Sequence, residues 1–148
     1  MQIAVIGKEE CTDKEYGAAL TAGHLIAENH AVLCCGGRGG VMEAACKGAK
    51  ANGGTTVGIL PDRGKGNPYL DVMVRTGMGY GRNVILVESA DAVVAIGGGF
   101  GTLSEIAIAL KSGKNVFGYC TWEIEGVVKC MTPEEAVLMA VAAARRSS

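Results

Sequence analysis

The feature that most constrains this chain is a rhythm. Short, nearly continuous Val/Ile/Leu/Ala runs recur at 2–6 (QIAVI), 31–35 (AVLCC), 55–60 (TTVGIL), 71–75 (DVMVR), 91–96 (DAVVAI) and 115–120 (NVFGYC). Helix-length stretches lie between most of them, at 13–29, 40–52, 80–89 and 102–112, with a last one from Pro133 to about Ala144. Apolar runs without polar alternation are what strands buried on both faces require. Alternation with helices predicts an α/β, Rossmann-like, doubly wound and mostly parallel sheet with helices on both faces. At 148 residues, one domain spanning 1–148 accounts for the whole chain.

Right-handed crossovers place the carboxyl ends of parallel strands on one edge, where ligands of open α/β sheets bind. That edge would carry Gly7-Lys8, Gly36 to Gly40, Pro61 to Tyr69, Arg75 to Arg82, and Gly97 to Thr102. The segment PDRGKGNPYL is the one long irregular loop and reads as a lid or pocket rim. A shift of 61 residues lays VLCCGGRGGVM over VVAIGGGFGTL, so the sequence predicts two equivalent strand–glycine–helix corners.

Composition narrows the partner. A net charge of −1 offers no broad basic field, which argues against a nucleic-acid polymer or an anionic membrane and for a small ligand. No apolar run approaches the length of a membrane span, and the start MQIAVIGKEE does not read as a secretion signal. Six cysteines without CxxC pairing and only two histidines give no metal-site spacing. Cys34 and Cys35 read as small buried hydrophobes, which suits a reducing cytoplasm. Apolar residues at 49% with aromatics at only 5% suggest a homo-oligomer, a homodimer or larger.

The glycines carry the chemistry. They let backbone N–H groups approach a ligand, and at a helix start those donors and the helix dipole favour phosphate. This makes Gly36, Gly37, Gly39, Gly40, Gly97, Gly98, Gly99, Gly101 and Thr102 the candidate phosphate or nucleotide cradle. Neither corner ends in the G-K-[ST] of a Walker A loop, and neither meets G-x-G-x-x-G, so a dinucleotide oxidoreductase is disfavoured. Asp62, about twenty residues past the first corner, fits a ribose ligand only weakly without that fingerprint.

Glu105 has two readings. Thr12-x-x-Glu15, Thr102-x-x-Glu105 and Thr132-x-x-Glu135 all have capping-box spacing, so Glu105 reads first as a helix cap. Against this, a glutamate one turn beyond GGGFG could stabilise an oxocarbenium ion or manage a proton, and Arg82 could grip phosphate or orient that carboxylate.

The tracts GGRGGVMEAACKGA, GILPD, GNPYLDVMVRTGMGYGRNVILVESADAVVAIGGGFGTLSEIAIAL and TPEEAV resemble, over nearly the whole chain, one Rossmann-like group. It includes the molybdenum cofactor carrier proteins and the LOG (lonely guy) phosphoribohydrolases, many of whose members carry a lysine decarboxylase label. Nothing here singles out the pyridoxal-binding lysine that label needs. The LOG motif P-G-G-x-G-T-x-x-E is met by Gly98, Gly99, Gly101, Thr102 and Glu105, and its upstream arginine by Arg82. The motif proline is replaced by Gly97, and the lysine after the arginine by Asn83. By resemblance, the glycine backbone and Thr102 would hold a 5′-phosphate, while Arg82 and Glu105 would act at an N-glycosidic bond. RTGMGYGRN and GNPYL look closer to the carrier branch. Two functions follow as expectations: hydrolysis of a nucleoside 5′-monophosphate, or carriage or sensing of a phosphorylated pterin such as the molybdenum cofactor. Neither requires a resident cofactor or a metal.

Overall fold

The computed structural model describes residues 1–147; residue 148 of the expected unit lies outside it. The strands are β1 (Gln2–Ile6), β2 (Val32–Cys35), β3 (Thr56–Leu60), β4 (Val72–Arg75), β5 (Ala92–Ile96), β6 (Val116–Tyr119) and β7 (Val127–Cys130). The helices are α1 (Asp13–Glu28), α2 (Val41–Ala51), α3 (Arg82–Ser89), α4 (Phe100–Lys111) and α5 (Pro133–Ser147). The strands form one sheet in the order β4-β3-β2-β1-β5-β6-β7, and every pair is parallel.

Successive residues of a strand face opposite sides, so each central strand supplies two cores. Ile3, Val5, Leu33, Cys35, Val94 and Ile96 pack with α1, α2 and α5 on one face. Ala4, Ile6, Cys34, Val93, Ala95 and Val116 pack with α3 and α4 on the other. This explains the unbroken apolar runs and the adjacent cysteines, whose thiols are pushed up in pKa, Cys34 by burial and Cys35 by its hydrogen bond with Cys46 and by burial. Between α1 and α2 the backbones nearly touch, because a Cβ at Gly23 would overlap the Ala45 carbonyl and one at Gly48 the Leu20 carbonyl.

Two differences from the sequence reading matter. The seventh strand, β7, was not expected: VVKC is four residues long, partly exposed and at the sheet edge, so it lacks the continuous apolar signature of the interior strands. Helix α4 begins at Phe100, two residues before the expected start at 102. The glycine corner supplies the early start, with Gly99 as N-cap.

Strand order fixes where a ligand site belongs. From β1 the chain winds out toward β2, whereas from β5 it winds toward β6, although β1 and β5 are neighbours. The crevice outside their carboxyl ends is the topological switch point. Gly7-Lys8 follows β1 there, and Gly97 to Thr102 follows β5.

Candidate functional site

The five helices divide by how their amino ends are satisfied. At α1, Thr12 Oγ1 accepts from the Glu15 N–H at 3.1 Å and Glu15 Oε1 accepts from the Thr12 N–H at 2.9 Å, a complete capping box. At α5, Thr132 Oγ1 accepts from the Glu135 N–H at 3.1 Å and Glu135 accepts from the Met131 N–H at 2.8 Å. Helices α2, α3 and α4 have glycine N-caps and no side-chain cap.

The two glycine corners are not equivalent. With α4 starting at Phe100, Gly101 lies at the second helical position, whereas its partner under the 61-residue shift, Gly40, is the N-cap of α2. At the first corner the Val41 N–H donates to the Lys8 carbonyl at 3.2 Å, closing part of that helix end. A Cβ at Gly40 would overlap the Glu9 carbonyl, one at Gly36 would crowd the Arg82 guanidinium, and one at Gly37 would overlap Leu60. Packing therefore accounts for three of these glycines. A cavity of about 310 Å³ does lie here, lined by Gly39, Arg38 and the 61–71 loop, but Glu9, Glu43 and Asp62 make it acidic. Asp62 bonds the Gly64 N–H and pairs with Arg38 at 3.4 Å, the behaviour of a turn acid rather than a ribose ligand.

The second corner is open. Its α4 starts with the N–H groups of Phe100, Gly101 and Thr102, which by their position have no acceptor within the helix. Leu103 is the first residue to donate back, to Gly99 at 3.0 Å. Beneath them lies Thr102, 2% exposed, whose Oγ1 is the one buried side-chain polar atom without a hydrogen-bond partner among the described residues. Gly101 leaves the approach clear: a Cβ there would meet nothing within 4 Å. Lys8 reaches this corner from β1, its Cδ beside Gly99. Three converging N–H groups, a buried hydroxyl and a nearby cation can together hold a dianionic phosphate.

The early start of α4 also removes the cap reading of Glu105, which lies in the second turn rather than at the third helical position. It is 7% exposed, and burial pushes its pKa up to about 7, with the positive charge of Arg82 acting in the opposite sense. The sequence placed Arg82 beside this acid, and the structure brings them within electrostatic influence without a direct ion pair. Instead the guanidinium binds backbone. Its Nη1 donates to the Gly36 carbonyl and, at 2.9 Å, to the Ile59 carbonyl, tying β2 to β3.

Asn83 is the residue that sequence reasoning left without a role. It is 5% exposed; its Oδ1 accepts from Arg82 Nε at 2.9 Å and its Nδ2 donates to Ser104 Oγ at 2.9 Å. Ser104 Oγ in turn donates to the Gly101 carbonyl at 2.7 Å. A polar chain thus runs from the first corner through Arg82 and Asn83 to the second. A lysine could accept nothing from Arg82, so the departure at Asn83 belongs to a different wiring of the site.

Gly97 has an equally specific reason. Its φ is +59°, its N–H donates to the Tyr119 carbonyl at 3.1 Å, and a Cβ would overlap the Glu15 carboxylate. Proline locks φ near −65° and has no N–H, so the LOG proline is incompatible with this turn.

With this geometry in place, four similarities bear on the site. Residues 1–145 match the SLOG cluster4 family, and the chain belongs to it. A protein of Archaeoglobus fulgidus is 52% identical over 139 residues, covering 93% of this chain and 92% of its own length. Among solved structures, the molybdenum cofactor binding protein of Rippkaea orientalis is 37% identical with a TM-score of 0.88, covering 93% of each chain. The molybdenum cofactor carrier protein of Chlamydomonas reinhardtii is 32% identical with a TM-score of 0.90, covering 96% of each. The fold is therefore closely related to that of the carrier proteins, as the sequence tracts had implied.

Proposed function

We propose that this SLOG cluster4 protein binds and carries a phosphorylated pterin of the molybdenum cofactor type, with the phosphate at the second glycine corner. The observation that carries the reading is the unpartnered Thr102 hydroxyl beneath three open N–H groups, at a switch-point corner that lacks the side-chain caps of α1 and α5. Binding of a small phosphorylated ligand is also what the solved relatives support. Gly98, Gly99, Gly101 and Thr102 hold the phosphate, with Lys8 as counter-charge. Gly97 shapes the turn. At the first corner Arg82 grips Gly36, while Gly37 packs on Leu60 and Gly39 and Gly40 face Glu9, an arrangement of support rather than a second phosphate site.

The cofactor is cargo in this reading, and the protein's work is to bind and shield it. Arg82 spends its donors on the Gly36 and Ile59 carbonyls and on Asn83, which suits a positioning role better than attack on a glycosidic bond. The test incubates the protein anaerobically with molybdenum cofactor released from a donor molybdoenzyme, followed by gel filtration. Co-elution of molybdenum and pterin with the protein is expected. Cofactor running wholly free of it would overturn the reading.

One observation favours a second reading, phosphoribohydrolase activity. A glutamate with a pKa of about 7 beside an arginine is suited to proton transfer at neutral pH. Ribose 5-phosphate released from nucleoside 5′-monophosphates by the wild type, and lost in Glu105→Gln, would establish it. Under either reading we also propose a homo-oligomer, supported by exposed Val72 and Val74 on edge strand β4 and by Met78, Tyr80 and Val84 nearby.

A further inference from the structure

A second cavity, larger than the one at the acidic first corner, lies elsewhere. It has a volume of about 660 Å³, lies where β6 and β7 end, and has Tyr119, Trp122, Ile124, Val127 and Met131 in its wall. Three hydrogen bonds stitch the same segment to the second corner. Gly97 donates to the Tyr119 carbonyl, Thr121 Oγ1 donates to the Gly97 carbonyl, and Trp122 Nε1 donates to the Gly99 carbonyl at 3.1 Å. The cavity and the open helix end therefore share a wall.

That wall is aromatic where it meets the corner. Phe100, whose N–H is one of the three open donors, stacks on Trp122 with ring centroids 6.2 Å apart and planes 25° apart. Phe100 is nevertheless 83% exposed and Trp122 37%. In a chain with only two phenylalanines and one tryptophan, so exposed a stacked pair at a cavity rim presents aromatic surface to a ligand. The rest of the lining includes charged groups, Lys14, Glu125 and the paired Glu123 and Lys129. An acyl chain would strand those charges, and a bare sugar phosphate would leave the aromatic and aliphatic wall wet.

We infer that this cavity is the ring subsite of the ligand, taking a fused heteroaromatic ring with hydrogen-bonding edges whose phosphate sits on the start of α4. Trp122 and Phe100 offer the ring a stacking surface, and the charged groups meet its edges. The volume is that of an ordinary small-molecule site, roughly 300–1,000 Å³. Purine nucleotides and pterin phosphates share this chemistry. The inference rests on the phosphate reading above, and its test is built to fail separately.

Calorimetric titrations compare ribose 5-phosphate, guanosine 5′-monophosphate and 6-hydroxymethylpterin phosphate on wild type, Trp122→Ala and Trp122→Phe. The wild type is expected to bind at least one ring-bearing phosphate about tenfold or more tighter than ribose 5-phosphate. Trp122→Ala should remove that preference, whereas Trp122→Phe, which equally lacks the bond to Gly99 but keeps a stacking face, should retain most of it. Alkylation of Cys120, the one exposed cysteine among the described residues and part of the cavity lining, should be slowed by the ring-bearing ligand only. Equal affinity of ringed and ringless phosphates, or equal weakening of both by Trp122→Ala, would overturn the ring subsite and leave the phosphate site standing. Absence of binding by every phosphate would overturn both.

Discussion

Arg82 and Glu105 shape each other's charge without touching. The guanidinium is held by the carbonyls of Gly36 and Ile59 and by Asn83, and the carboxyl, in the second turn of α4, feels it only through space. Burial outweighs that attraction and raises the carboxyl pKa to about 7. A carboxyl in this state exchanges its proton around neutral pH, so its charge changes there.

The first prediction concerns pH. Because the folded-state pKa lies above the unfolded value, the folded protein retains a proton that the unfolded chain has lost between about pH 4.5 and pH 7. The contribution of Glu105 is most favourable below the unfolded pKa and is lost as pH rises through about 7. Urea denaturation at pH 5 and pH 8 should show Glu105→Gln removing a pH-dependent loss on the order of 3 kcal/mol. Equal pH dependence in the variant and the wild type would refute the raised pKa.

A second prediction sets two threonines against each other. Thr12→Ala breaks a formed capping box and should cost about 1 kcal/mol. Thr102→Val removes an unpaired buried hydroxyl at nearly constant shape, and should cost nothing or stabilise by up to about 1 kcal/mol. The same Thr102→Val protein should bind phosphorylated ligands at least several-fold more weakly. Thermal melts and calorimetry together decide whether the hydroxyl is reserved for a ligand.

These two threonines also mark the limit of sequence reasoning here. Both begin a T-x-x-E, and only the start of the helix distinguishes a cap from a buried pair. Strand runs such as VVAI are legible because burial on both faces forbids polar residues. Helix α4 began early because Gly97 and Gly98 take positive φ and complete the turn before Phe100, a backbone property that spacing does not reveal. The role of Asn83 depends on a contact with Ser104, 21 positions away and on another helix, with no local signature. Strand β7 was missed because a short edge strand need not be apolar. The Glu15 carboxylate over Gly97 was equally invisible, since it joins α1 to the end of β5.

Gly97 yields the third prediction. Gly97→Ala should destabilise by at least about 2 kcal/mol, because it forces a side chain into positive φ and against Glu15. Gly97→Pro, which installs the LOG residue, should be worse, by more than about 3 kcal/mol, since it also deletes the N–H that Tyr119 accepts. A Gly97→Pro protein as stable as wild type in urea would show that the turn can adopt the LOG form.

The fourth prediction tests the polar chain. Asn83→Ala leaves Arg82 Nε without its acceptor and Ser104 without a donor, and should cost about 1–3 kcal/mol. Asn83→Asp keeps the acceptor for Arg82 and should recover part of that stability. Equal loss in both variants, by chemical denaturation, would indicate that the Ser104 bond alone matters.

The most direct measurement of the central claim is a calorimetric titration of Gly101→Asp with the ligand that the wild type binds. A side chain at Gly101 meets open space, and an acid in the first turn of a helix favours folding. The account predicts a protein at least as stable as wild type that has lost phosphate-dependent binding, because the new carboxylate competes for the N–H groups of α4. Undiminished binding in a folded Gly101→Asp protein would contradict it.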